Sequence, residues 1–379
     1  MFCKTYVTID NGGSEIRVKN SKDEILTINN NIIKVSPENF RVKNIEDPYS
    51  VVQILSAPST LMCGIYANGD AAQNYVGEPV KFDNQTPKTA SSAYYKTLIV
   101  AIANDAIRRV QSGFETGEFK KPMLSFCDAL ELSYVLTTLI PIREHSGQKD
   151  CAAVLKDTIT GSYEVMFPLV EGMNRVKFSL DKSHIAVVPE GGVGMMALGA
   201  MISPEDISLV IDMGHITNDI SVFKGKQLLG TATDSSPFAG ATLLSDIRNA
   251  LIDSGYRVSD KQLIDSVATG DIYLGAIKQD VSEIVSKCKE RFAESTIKPA
   301  VISILNTARI PASSIKNIVP IGSPMNVEPT KVGNMAYFIQ RACGLQNSCI
   351  RQLDKDLRYV NLNMAHRVCK ALFEKYSKE

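Results

Sequence analysis

Hydrophobic and polar positions alternate from the start of the chain. Residues 5–10 alternate and end on Asp10, which predicts a strand. A Gly12-Gly13 turn follows, then Glu15–Lys19 and Ile25–Val35 as further strands, so the chain opens as a meander. Residues 89–111 carry helical spacing after a Thr/Ser-rich start. Met123–Phe126 is a short apolar strand. Two strands divided by a turn lie within 161–180, and Ile185–Val188 is another. It runs into Pro189-Glu190-Gly191-Gly192 and a helix of small residues ending near Met201.

Ser203-Pro204-Glu205-Asp206 breaks the pattern and marks a domain boundary. Strands are expected at Ser208–Asp212, Asp219–Phe223 and Leu228–Thr231, with tight turns between them. This strand–turn–strand layout repeats that of the N-terminus, as a pattern without residue-level identity. Helices are expected at 239–253, 259–268 and 276–296. In the last, Ile277, Val281, Ile284, Val285, Cys288 and Phe292 fall on one apolar stripe and read as a core face. Ile318–Ile321 is a strand ending in Gly322, and 364–377 closes as a helix.

The 379 residues exceed one ordinary core and suit two domains. Apolar residues make up 44% and charged residues 22%, which fits a folded α/β protein. Lys+Arg and Asp+Glu both number 41. With no block of basic residues, direct nucleic-acid binding has no electrostatic footprint, while zero net charge removes a barrier to self-association. The first ten residues read as a strand and not as a secretory leader, and no apolar run approaches the roughly 20 residues of a membrane span. Eight cysteines without C-x-x-C spacing read as reduced cytoplasmic thiols.

Three places carry candidate chemistry. Asp10-Asn11-Gly12-Gly13-Ser14 sets a carboxylate at a strand end before glycines that let backbone N–H groups approach an anion, with Arg17 close behind. Asp212-Met213-Gly214-His215-Ile216-Thr217-Asn218-Asp219 has the same form. Each alone reads equally as a hairpin turn. Two such turns at matching places in the two half-chains could clamp a phosphate chain, with Asp10 and Asp212 holding Mg²⁺ through waters. Ile318–Ile321, ending in Gly322-Ser323-Pro324, could pass under a flat base, or be an ordinary strand-to-turn junction.

Together these motifs resemble the actin, heat-shock chaperone and sugar-kinase superfamily, and within it the bacterial ParM-type actins. Asp10-x-Gly12 is similar to the first phosphate motif. Asp212-x-Gly214-x-x-Thr217-x-Asp219 is similar to the second, and Gly322-Ser323 to the adenosine motif, where Gly-Gly is usual. Arg17 falls where actin carries a phosphate-contacting lysine. Glu190, 22 residues before Asp212, falls where the family orients the attacking water, and Gly240 at a glycine near the nucleotide. Tyr359–Ala365 resembles the last connecting turn and helix. His215 departs from the family's small residue, so either the backbone approach differs or the imidazole itself reaches a phosphate.

The resemblance implies an α/β actin-like fold with mixed sheets and helical covers in two related domains flanking a nucleotide cleft. Domain I would span 1–203 with 340–379 returning to it, and domain II 204–339. It implies an ATPase using Mg²⁺ with ATP, or GTP, that assembles into homopolymer filaments. Such filaments segregate plasmid DNA in the cytoplasm through a DNA-binding adaptor. A membrane-associated cytoskeletal actin and a small-molecule kinase of the same superfamily are the alternatives. A third, separate reading takes Gly192-x-Gly194-x-x-Ala197 with Asp212, 20 residues after Gly192, as a dinucleotide fingerprint.

Overall fold

The computed structural model describes residues 2–41, 45–81, 87–119, 131–146, 150–198, 201–325, 332–353 and 356–378. Contacts divide the chain into two compact units. One comprises Met1–Ile140, Glu144–Val188 and Leu362–Glu379, the other Pro141–Arg143 and Pro189–Asn361.

Among the described residues the first unit holds a ten-stranded sheet. Its strands are β1 (Phe2–Asn11), β2 (Glu15–Asn20), β3 (Ile25–Asn29), β4 (Ile33–Val35), β5 (Val51–Ser56), β6 (Gly64–Ala67), β7 (Gly77–Pro79), β8 (Glu131–Ile140), β9 (Gly161–Met166) and β10 (Arg175–Pro189). They lie in the order β3-β2-β1-β8-β10-β9-β5-β6-β4-β7. The helices in this stretch of chain are α1 (Gly69–Asn74), α2 (Ser92–Glu115), α3 (Ile142–Ser146) and α4 (Cys151–Ile159). The run Leu98–Ala103 of α2 is buried without interruption, so this helix is a core element, and it packs on β1 and β2.

In the second unit, α5 (Gly192–Ala197) precedes a meander of β11 (Ile207–Met213), β12 (Asn218–Lys224) and β13 (Gln227–Ser236). Then come α6 (Gly240–Asp253), α7 (Asp260–Thr269), a hairpin of β14 (Asp271–Leu274) and β15 (Ile277–Asp280), α8 (Ser282–Phe292) and α9 (Lys298–Thr307). β16 (Ile315–Ile321), α10 (Met335–Ala342) and β17 (Cys349–Ile350) follow. α11 (Val360–Tyr376) begins in this unit and continues into the first. The main sheet has the order β13-β12-β11-β16-β17.

The two sheets share a motif. In each, a three-stranded antiparallel meander is extended on its first strand by a parallel partner, giving β3-β2-β1-β8 and β13-β12-β11-β16. The duplication seen in the sequence pattern is thus a duplication of topology. Each unit has its own core, centred on Ile9, Leu98 and Phe178 in the first and on Val210, Phe292 and Val319 in the second.

By contacts the units divide at Val188/Pro189, ahead of the Ser203-Pro204 break. The intervening α5 packs on the second unit, where a Cβ on Gly194 would lie 2.5 Å from Ile321 Cδ1. The chain returns to the first unit at Leu362, and α10 packs on α8. Ile25–Val35 is two strands. The helix expected at 276–296 starts at Ser282. Val281, Val285, Cys288 and Phe292 are buried as expected, but Ile277 lies on β15 and is 64% exposed. Met123–Phe126 lies outside the described residues. Among the described residues no helix is long and apolar enough to cross a membrane.

Candidate functional site

The turn joining β1 to β2 is held by few atoms. Gly12 N–H donates to Glu15 O at 3.1 Å, and a Cβ on Gly12 would lie 2.9 Å from that oxygen, so the turn closes only around glycine. Asn30, a residue the sequence pattern did not single out, fastens the turn from just after β3. Its N–H donates to Ser14 O at 3.0 Å, and its amide to Gly12 O at 2.5 Å. Gly13 is half-buried and Ser14 exposed.

Asp10 stands opposite Arg17 in the β1–β2 register, and the guanidinium lies 3.3 Å from Asp10 Oδ2 while also binding Glu15. Arg17 therefore neutralises Asp10 in this arrangement, and an anion at the turn would compete for it. Asn11 has a buried side chain whose amide donates to Thr97 Oγ1 at 2.8 Å and Tyr94 O at 3.2 Å on α2. It anchors the hairpin by this amide nitrogen, while its Oδ1 is buried with no hydrogen-bond partner among the described residues.

The β11–β12 hairpin repeats this construction. Gly214 N–H donates to Thr217 O at 2.9 Å, and a Cβ on Gly214 would lie 3.2 Å from that oxygen. Asp212 occupies the place of Asp10, and its cross-strand partner is Asp219. Both aspartates are buried, at 7% and 3% exposure. Gly214 and His215 are exposed at the turn, and Thr217 is half-buried. The protein around the His215 ring lowers its pKa by desolvation, so the imidazole is neutral at pH 7.

Further candidates gather around the second hairpin. The first N–H groups of α6 bind it, Gly240 to Gly214 O at 3.1 Å and Ala241 to His215 O at 2.7 Å. A Cβ on Gly240 would lie 2.9 Å from Gly214 O and 3.4 Å from Pro324 Cγ. Gly322, with φ +95°, ends β16 against β11 so closely that a Cβ would sit 2.1 Å from Met213 O. Ser323 opens the short turn Ser323–Met325 that follows. Asp212, Gly214, His215, Thr217, Gly240 and Gly322 thus lie at one edge of the sheet, at the carboxyl ends of β11 and β16.

Glu190 is buried in the turn after β10, at 8% exposure. The next residue, Gly191, has φ +68°, and a Cβ there would lie 3.5 Å from Asp212 Cβ. Asn361, near the start of α11, donates from Nδ2 to Asp212 Oδ2 at 2.6 Å and accepts from Gly191 N–H at 3.2 Å. The turn that carries Glu190 is therefore held against Asp212. The expectation had placed Asn361 only within the last connecting turn.

The dinucleotide reading fails on topology. β10 and β11 belong to different sheets, so no βαβ unit surrounds Gly192–Ala197, and α5 has six residues. Gly192 and Gly194 are packing glycines, set against Pro189 and Ile321.

No family model and no curated protein matches the chain. Among solved structures, the actin-like protein Alp7A overlaps 100% of this chain and 100% of its own at 15% identity, with a TM-score of 0.68. The fold is actin-like. A 15-stranded ParM filament from Clostridium botulinum matches the same fold over 97% of this chain and 99% of its own, at 14% identity and TM-score 0.60. Bacillus thuringiensis ParM with ATP matches over 97% and 98%, at 13% identity and TM-score 0.61. The actin-like fold accounts for the duplicated meanders, and the expected α/β architecture of mixed sheets under helices is the one observed.

Proposed function

We propose that this chain is a polymerising actin-like ATPase whose filaments move DNA through an adaptor protein in the cytoplasm. The observation that carries the reading is the matched pair of hairpins. Each has an aspartate at the end of its first strand, a glycine two residues on, and a turn closed from that glycine N–H to the oxygen three residues later. The structural neighbours that are a ParM filament and a ParM with ATP support it, as does zero net charge in a chain meant to associate with itself.

In this reading the turn backbones at Gly12-Gly13-Ser14 and Gly214-His215 bind the phosphates, aided by Ser14 and Thr217. Asp10 and Asp212 would hold Mg²⁺, which supplies neutralisation of charge on the phosphates. Among the described residues no group of three or more His, Cys, Asp or Glu could hold a metal alone, so water and phosphate oxygens would complete the shell, as Mg²⁺ favours. Arg17 exchanges part of its pairing with Asp10 for phosphate. Glu190 orients the attacking water. Gly240, Gly322 and Ser323 line the approach of the base, where the choice between ATP and GTP is made.

Sedimentation of the purified protein with Mg-ATP, Mg-GTP, Mg-ADP or no nucleotide tests the reading. A pellet formed with the triphosphate and absent without nucleotide is expected. Protein that remains at monomer size under all four conditions would overturn the filament reading.

A further inference from the structure

Asn361 makes two hydrogen bonds at once, one as donor and one as acceptor. Its Nδ2 donates to Asp212 Oδ2 at 2.6 Å, and its Oδ1 accepts from the Gly191 N–H at 3.2 Å. The side chain is buried, at 8% exposure, so water does not readily replace either bond. Gly191 follows Glu190 directly, and its backbone lies against Asp212. One amide thus joins the strand-end carboxylate to the turn that carries the buried glutamate.

We infer that Asn361 is a positioning residue for the nucleotide site. It holds Asp212 by Oδ2 and so fixes the rotamer of the carboxylate at the strand end, where the nucleotide reading puts a cation or its water. It also holds the turn from which Glu190 extends. The inference rests on the nucleotide reading of the Asp212 hairpin. An amide suits the place because one end must donate and the other accept. Leucine would do neither. An ionised aspartate would still accept from Gly191, but would set a second negative charge against Asp212. A protonated aspartate would restore both bonds. Outer partners of this kind typically change metal affinity by about 10–100-fold when removed.

The test measures the Mg²⁺ concentration that half-saturates ATP hydrolysis, from pH 5.5 to 8.5, in wild type, Asn361→Leu and Asn361→Asp. The Gly191 amide resonance of glycine-labelled protein without nucleotide is followed in parallel. For Asn361→Leu, half-saturation should rise about 10-fold or more at every pH, and the Gly191 amide should shift. In Asn361→Asp, which keeps the acceptor for Gly191 N–H but sets a second carboxylate against Asp212, half-saturation should also rise. A residue that only supports the fold would lower the active fraction and leave half-saturation unchanged in both variants, which would overturn the inference. Tighter Mg²⁺ binding in Asn361→Asp at high pH would also overturn it, because the new carboxylate would then be a ligand and not a repelling neighbour. If wild type binds no nucleotide, the nucleotide reading falls and this inference with it. If wild type binds Mg-ATP but Asn361→Leu keeps wild-type half-saturation, the inference alone falls.

Discussion

Glu190 sits in a turn whose next residue packs on Asp212, and its side chain is almost wholly buried. In the proposed ATPase this carboxylate would act on the reacting water more than on ground-state binding. Glu190→Gln keeps the shape and removes the charge. ATP affinity should stay within a few-fold of wild type while hydrolysis slows by about 100-fold or more, the range expected for a general base. Phosphate release at saturating ATP measures this, and wild-type turnover would reduce Glu190 to a structural residue. A second residue-scale case concerns stability. His366 is buried at 4% exposure with Nδ1 3.0 Å from Thr8 Oγ1. Burial, then Lys19, lower its pKa, Asp23 raises it and Lys370 lowers it, leaving it at about 4 from an ordinary 6.5. The unfolded chain therefore binds the proton first, and stability contributed by neutral His366 rises with pH between about 4 and 6.5. Asp105 works in the opposite sense. Burial raises its pKa from 3.8 to about 6, against the lowering effect of the bond it accepts from Tyr134 Oη at 2.7 Å, so its contribution falls as pH rises through that window. The stability difference between wild type and His366→Gln should grow with pH by up to about 1.4 kcal/mol per unit across 4–6.5, and that for Asp105→Asn should move the other way. Denaturant titrations at several pH values give both slopes. Parallel curves for wild type and His366→Gln would mean that the buried ring titrates normally.

At the scale of elements, the two Asp-x-Gly hairpins were legible because their information is local. A strand ends on a carboxylate, glycines permit the turn, and a second strand follows. Helix α2 was legible for the same reason. Elements whose signal is not periodic were harder to read. Seven consecutive residues of β8, Tyr134–Ile140, are buried, because β8 is an interior strand between β1 and β10, so alternation does not mark it. Strand β15 falls inside the helix expected at 276–296 because Ile277 is in phase with the α8 stripe. The opposing signal is Gly275, at φ +63°, in a two-residue connection between short runs containing Ile272 and Ile277. Of the site, each motif residue could be named, but not Asn361 or Asn30, since an asparagine that bonds across long sequence separation leaves no local mark. The need for glycine at 322 is a tertiary fact of the same kind. Gly322→Ala incurs both a left-handed φ and a methyl 2.1 Å from Met213 O, whereas Gly344→Ala incurs a φ of +67° with nothing within 4 Å. The first should cost about 2–4 kcal/mol of unfolding free energy and the second about 1 kcal/mol. Equal losses in chemical denaturation would show that β16 does not press on β11 as described.

For the whole molecule, the duplicated meander gives each unit a carboxylate hairpin and a core of its own, and the chain carries no net charge to keep copies apart. Zero net charge permits association but does not choose its geometry. The two units differ in size and topology beyond the shared four strands, with ten strands in one sheet and five in the other. A copy therefore presents different surfaces at its different sides. Contact between unlike surfaces is heterologous, and it either closes into a ring or continues as an open filament. The two outcomes have different concentration laws. A ring forms at fixed mass and then adds no subunits. An open polymer whose subunits each touch several neighbours shows a threshold, below which all protein is monomer and above which all added protein enters the polymer. With Mg-ATP, the unpelleted protein should therefore rise with total concentration up to a threshold and then stay constant. The light-scattering signal should decay as ATP is consumed. Both a non-hydrolysable analogue and the Glu190→Gln variant should prolong that signal, because each keeps the triphosphate in place by a different route. If scattering in Glu190→Gln decays as fast as in wild type while its phosphate release is slowed, hydrolysis does not time disassembly. If assembly instead stops at one discrete mass, the copies close on themselves and the filament reading gives way to a closed nucleotide-binding oligomer.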